Sequence, residues 1–213
     1  MALHKSADNA SMTPAAPQSQ DQFSPFKLAT CKPFSSNLQL ATCNLQPNIS
    51  GLMKTSTAST LSDLLSPETI NLNLKSKDRE GVLSELVNQM PQLSDQPESR
   101  QTLLRALRER EQLHSTGIGD GVALPHSRNA LVGLVDRPVI VFGRHAEGIP
   151  YESIDAIPAR LFFLLVAPTV TQHLGILSRL GRLLGDPKLR QKLLTADRPE
   201  KIIACIRDAE NKL

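Results

Sequence analysis

Hydrophobic positions are scattered without a period up to about Thr60 and then fall into regular patterns. Leu61, Leu64 and Leu65 suit a short helical turn, and Ile70-Asn71-Leu72-Asn73-Leu74 alternates in the manner of a half-buried strand. Val82, Leu83, Leu86, Val87 and Met90 make the buried stripe of a helix that Ser76 can cap, that Asp78 and Glu80 favour at its positive end, and that Pro91 terminates. A second helix is predicted from near Pro97 to about Gln112. Leu103, Leu104 and Leu107 face inward, and Arg100, Arg105 and Arg108 belong to a solvated face with Glu109 and Glu111. Val122-Ala123-Leu124, Pro138–Phe142 and Arg160–Val166 read as strands, the last apolar on both faces and therefore central. Gly148-Ile149-Pro150-Tyr151 marks a turn, with room for a short edge strand. Three helices close the chain. The first runs from about Thr169 to Leu184 with a stripe of Leu177, Leu180 and Leu184 and stops at Gly185. Asp186-Pro187 starts the second, and Asp197 with Glu200 resembles a capping box for the third.

Helix and strand thus alternate without a repeating βα unit. This predicts an α/β fold, a mixed β-sheet with helices on both faces, preceded by a disordered N-terminal tail over residues 1–60. Ser, Thr, Asn, Gln and Pro dominate that tail, and it has too few apolar residues to offset the entropy of ordering. The folded domain is expected over 61–213. With no Trp and one Tyr, aliphatic side chains must fill its core. Lys and Arg total 24 against 21 acids, and the signs are interspersed rather than gathered in a block, which argues against a nucleic-acid partner. Cys31, Cys43 and Cys205 are odd in number and lack Cys-x-x-Cys spacing, so neither a disulfide framework nor a zinc site is indicated and a reducing cytoplasm fits. Cys205 reads as a buried, inert thiol beside Ile202, Ile203 and Ile206. The longest apolar run, Leu161–Ala167, has strand length, so no membrane insertion is expected.

The densest chemistry lies in Ser115-Thr116-Gly117-Ile118-Gly119-Asp120-Gly121-Val122-Ala123-Leu124-Pro125-His126. The glycines permit positive φ and close approach to bare backbone, and Pro125 ends the strand, leaving His126 at its tip. Walker A chemistry is excluded, since Gly-Lys-Ser/Thr opening a helix is missing. An imidazole with one nitrogen held by a hydrogen bond keeps a lone pair on the other and can take and pass on a phosphoryl group. The same residues also fit a glycine turn whose histidine only caps a strand. His173, on the inward face of its helix, is open in the same way between a core histidine and a functional one. His4, His114 and His145 read as solvent-exposed.

From Arg110 to His126 the text Arg-Glu-Gln-Leu-His-Ser-Thr-Gly-Ile-Gly-Asp-Gly-Val-Ala-Leu-Pro-His resembles the phosphorylation motif of the mannitol/fructose-type enzyme IIA domains of the bacterial phosphotransferase system, nitrogen-regulatory members included. The likeness extends from about Leu61 to about Ala209. It implies that His126 is phosphorylated by the phosphocarrier HPr or its nitrogen-branch counterpart, that His173 is the second active-site histidine, and that Arg110 is the active-site arginine. Backbone N–H groups of Gly117, Gly119 and Gly121 are candidate donors to the phosphoryl oxygens. The resemblance implies no cofactor and no metal. The chain departs from many members in reading Pro-His-Ser rather than Pro-His-Gly at Ser127. A histidine phosphotransferase of the regulatory type is expected, since the sequence holds no permease or second carrier domain, with a regulated target or enzyme IIB as acceptor. The alternatives are the IIA subunit of a fructose- or mannitol-type transporter and a binding protein of the same fold that is never phosphorylated.

Overall fold

The computed structural model describes residues 59–212 apart from 129 and 132, so residues 1–58 of the expected tail lie outside the described residues. Five strands form one mixed sheet: β1 (Ile70–Asn71), β2 (Gly117–Gly119), β3 (Val122–Ala123), β4 (Val139–Ile149) and β5 (Ala159–Val166), in the spatial order β1-β4-β5-β3-β2. β5 is the middle strand, antiparallel to β4 and parallel to β3. Its near-complete burial follows from having a neighbour on each edge and helices on each face.

Alternation along β4 and β5 sorts their side chains into two cores. Ile140, Phe142, Leu161, Phe163 and Leu165 face α3 (Val170–Leu184), α4 (Pro187–Thr195) and α5 (Pro199–Glu210). Val139, Val141, Phe162, Leu164 and Val166 face α1 (Arg79–Asn88) and α2 (Pro97–Leu113). The mixed sheet with helices on both faces is therefore as the pattern predicts. Phe142 and Phe163 meet edge to face at 5.1 Å, a favourable geometry for aromatic quadrupoles.

Several local readings need correction. Asp78, not Ser76, is the N-cap of α1, its carboxylate accepting from the Gly81 amide at 2.7 Å. Ser76 instead binds Glu85, which also accepts from its backbone N–H at 2.6 Å. Only Ile70–Asn71 of the alternating stretch forms strand, paired with Phe142 and Gly143, and Leu74 keeps one further bond to Arg144 O at 2.9 Å before the chain enters α1. Ile176 rather than Leu177 completes the buried stripe of α3. The last helix begins after Arg198 with no side-chain cap, since Asp197 pairs with Lys201 at 2.8 Å. Cys205 is half-buried rather than buried.

Gly143 marks the closest approach of α1 to the sheet. A Cβ there would stand 2.7 Å from both Leu74 Cδ1 and Leu86 Cδ2, and these leucines are themselves buried. Gly143→Ala is therefore expected to cost about 1–3 kcal/mol through overpacking, read as a lower denaturant midpoint. An unchanged midpoint would show that the two leucines have room to withdraw.

Candidate functional site

β3 gives out at Leu124-Pro125, and His126 makes a single parallel bridge to Leu165, with the Leu165 amide donating to Pro125 O at 3.0 Å. Pro125 donates no hydrogen bond, so the ladder cannot continue through it. Two residues beyond Leu165, β5 passes through Ala167 and Pro168 to the α3 N-terminus, where Thr169 caps the helix by accepting from the Gln172 amide at 3.3 Å. The ends of two parallel neighbours thus bring His126 and the first turn of α3 together.

His173, the fourth residue of that helix, is 4% exposed, and its ring centroid lies 5.4 Å from that of His126. Its Nδ1 is buried without a hydrogen-bond partner. Arg110 reaches the site from the last turn of α2. Its Nε donates to His126 Nε2 at 3.3 Å and its Nη1 to His114 O at 2.7 Å.

Leu124 O stands 2.7 Å from His126 Nδ1. A carbonyl only accepts, so Nδ1 carries the hydrogen and Nε2 holds the lone pair. Burial lowers the His126 pKa, the Leu124 carbonyl partly opposes this by favouring protonation, and the Arg110 charge lowers it further. His173 is lowered by burial and then by His126. Both shifts favour the neutral ring, whose Nε2 lone pair faces the Arg110 guanidinium.

The glycines shape the hairpin that leads into the His126 strand. β2 runs antiparallel to β3 with Gly117 opposite Ala123. Gly119 and Gly121 flank Asp120 where β2 turns into β3. Their positive φ values, 94° at Gly119 and 74° at Gly121, serve the β2–β3 turn. That turn is pinned by Asp155, whose Oδ2 accepts from the Asp120 amide at 2.6 Å, and by the Arg190–Asp120 ion pair at 3.0 Å.

Sequence reasoning also missed a buried polar cluster beneath the site. Glu111, expected on the solvated face of α2, is buried. It accepts from the Thr116 amide at 3.1 Å, from the Thr116 hydroxyl, and from the Tyr151 hydroxyl at 3.0 Å. Burial, then the adjacent Glu111 carboxylate, pushes the Tyr151 phenol far up, so it stays a donor. The available signal was position: Glu111 follows Arg110 where α2 must end and the chain reverse.

A groove of about 520 Å³ between α1, α2 and the end of β4 holds Arg79, Arg108 and Glu152 but none of His126, His173 and Arg110. The helices that carry Arg110 and His173 also expose Leu113, Val170 and Leu174. Among the described residues no helix is long and apolar enough to cross a membrane.

A sandwiched mixed sheet presenting a neutral imidazole, a second buried imidazole and a guanidinium at one strand end is an α/β frame suited to group transfer at nitrogen. The chain belongs to the phosphoenolpyruvate-dependent sugar phosphotransferase system EIIA 2 family, whose sequence profile matches residues 63–209. It is 39% identical over 148 residues to the fructose-specific EIIABC component of Bacillus subtilis, an alignment spanning 68% of this chain but only 23% of that protein. It is 35% identical over 135 residues to the nitrogen regulatory protein of Bradyrhizobium diazoefficiens, spanning 62% of this chain and 85% of the relative. Among solved structures, nitrogen regulatory protein IIA-Ntr from Neisseria meningitidis superposes with a TM-score of 0.61 at 28% identity, covering 68% of this chain and 97% of that one. The IIA mannitol structure from Escherichia coli, at 24% identity and a TM-score of 0.56 over 67% of this chain and 98% of that one, shares the fold.

Proposed function

We propose that residues 61–213 form a phosphohistidine carrier that takes a phosphoryl group on His126 Nε2 from a phosphohistidine of an HPr-like protein. The observation that carries this reading is the pairing of a carbonyl-fixed tautomer with an arginine directed at the free nitrogen. In the transfer, the Nε2 lone pair forms the new N–P bond while the N–P bond of the donor breaks. Its electron pair returns to the donor imidazole, so no net proton movement is required. Such transfers pass through a loose transition state, and catalysis is mainly positioning and charge stabilisation. Arg110 and the His173 ring are the candidate donors to the phosphoryl oxygens, and the α3 N-terminus adds a favourable field. Leu113, Val170 and Leu174 offer an apolar rim for a docking protein. The product carries about −1.5 to −2 of new charge, which alters the surface any acceptor meets.

The regulatory type of carrier is our preferred reading. It is supported by the nitrogen regulatory relatives, of which the alignment covers 85% of the Bradyrhizobium diazoefficiens protein and 97% of the Pseudomonas aeruginosa protein. The IIA part of a fructose transporter is the second reading, favoured by the 39% identity to the fructose-specific component. The test is to incubate the full chain with phosphoenolpyruvate, enzyme I and either HPr or its nitrogen counterpart. An acid-labile, base-stable mass gain at His126 is expected, and no gain with either donor overturns the carrier reading. Adding vesicles that contain a fructose permease separates the types, because onward transfer to sugar occurs only for the transporter.

The rate of acceptance should follow the neutral fraction of His126. Its folded-state pKa lies below the ordinary 6.5, so the rate is expected to hold down to pH 6.5 and to fall only as the pH drops through the lowered value. The same shift makes the unfolded chain bind more protons, so this contribution to stability is full above pH 6.5 and lost below it. A rate profile whose acid limb is centred at or above 6.5 would contradict the burial of the ring.

A further inference from the structure

Glu111 is an acidic side chain buried in a site whose proposed chemistry needs no carboxylate, and its bonds lead step by step to the nucleophile. It follows Arg110 in the last turn of α2 and accepts both the N–H and the hydroxyl of Thr116. Thr116 O in turn accepts from the Leu124 amide at 3.0 Å, and Leu124 O receives His126 Nδ1–H at 2.7 Å. Tyr151, 1% exposed, holds the carboxylate from the opposite side with its hydroxyl. Burying a carboxylate is costly unless donors surround it, and three donors converge here. The hydrogen bonds of Glu111 therefore fix where the short 114–116 connection lies between helix and strand.

We propose that Glu111 is a positioning residue for phosphoryl transfer: by clamping Thr116 against α2 it sets the Leu124 carbonyl that keeps the His126 hydrogen on Nδ1. Resting on the carrier reading, this makes Glu111 act through two other residues without touching the phosphoryl group. A glutamine in its place keeps the volume but has one acceptor oxygen and an NH₂ that meets the Thr116 donors with donors. The connection then slackens, the Leu124 carbonyl shifts, and the imidazole populates both tautomers.

Two measurements on the full chain test this. In the unphosphorylated protein, ring ¹⁵N shifts of His126 report the tautomer directly. In the wild type they should show hydrogen on Nδ1 alone, and in Glu111→Gln a mixture. In the transfer assay, kcat for acceptance should fall about tenfold, the worth of one net hydrogen bond, with KM for the donor protein unchanged because the docking rim is untouched. Tyr151→Phe removes one donor while keeping the ring and should move both readouts the same way by a smaller amount. It keeps the test open if Glu111→Gln fails to fold. A folded variant that melts earlier but has wild-type ¹⁵N shifts and kcat overturns the proposal and leaves Glu111 a purely structural group. A wild type that accepts no phosphoryl group overturns the carrier reading itself, an outcome distinct from a labelled wild type whose tautomer survives Glu111→Gln.

Discussion

His126→Ala is expected to abolish phosphoryl acceptance altogether while leaving a folded protein. Nε2 is the atom on which the new N–P bond would form, and the neighbouring His173 is buried beside it, with only 4% of its surface exposed. The structural cost should be small. His126 follows the strand-ending proline and is half-buried, and its own hydrogen bonds are one from Nδ1 to Leu124 O and one from Arg110. Losing the first leaves a carbonyl that water can reach once the ring is gone, a change of about 1 kcal/mol. Radiolabel from phosphoenolpyruvate and a thermal melt decide the matter together. Label retained on the variant would move the acceptor elsewhere, and a collapsed melt would mean that the ring holds the strand end in place.

How far the sequence foretold this site depends on what kind of signal each residue left. The middle strand was legible because seven consecutive residues from Arg160 to Val166 carry almost no polar side chain, and burial of β5 on both faces follows from that alone. Asp186-Pro187 was equally plain, since a capping carboxylate and a proline in the first turn are local events, and the Asp186 side chain accepts from the Lys188 amide at 2.9 Å. β2 was not legible: Gly-Ile-Gly has no strand propensity and pairs only because the β2–β3 turn and Asp155 hold it against β3. The spacing of glycines 117, 119 and 121 reveals conformational freedom, which Gly119 and Gly121 use at the β2–β3 turn with φ values of 94° and 74°. Glu111 was misread. A charged residue among arginines resembles a solvated face, and its burial is decided by Tyr151 and Thr116, which the chain brings to it from 40 and 5 residues away.

Placing His173 on the inward face of α3 needed only the helical period, but its role turns on the unpartnered Nδ1. A buried ring nitrogen without a hydrogen bond is rare in a settled core, and here the ring adjoins the proposed nucleophile His126, 5.4 Å away between ring centroids. Arrival of a phosphoryl group would supply the missing acceptor for a ring N–H, so the ring gains its bond as charge builds on the phosphoryl oxygens. An interaction made in the transition state and missing beforehand lowers the barrier rather than strengthening binding. A hydrogen bond to a charged group is worth about 1.5–3 kcal/mol, which corresponds to about one to two orders of magnitude in rate. His173→Ala should therefore accept and donate the group about 10- to 100-fold more slowly, with His126 still the labelled residue. Truncation also removes packing, yet the orphaned nitrogen offsets part of that loss, so the melting temperature should fall less than for an apolar core residue of similar size. A variant that transfers at the wild-type rate but melts much earlier would make His173 a core histidine, and the phosphoryl oxygens would then be left to Arg110 and the α3 N-terminus.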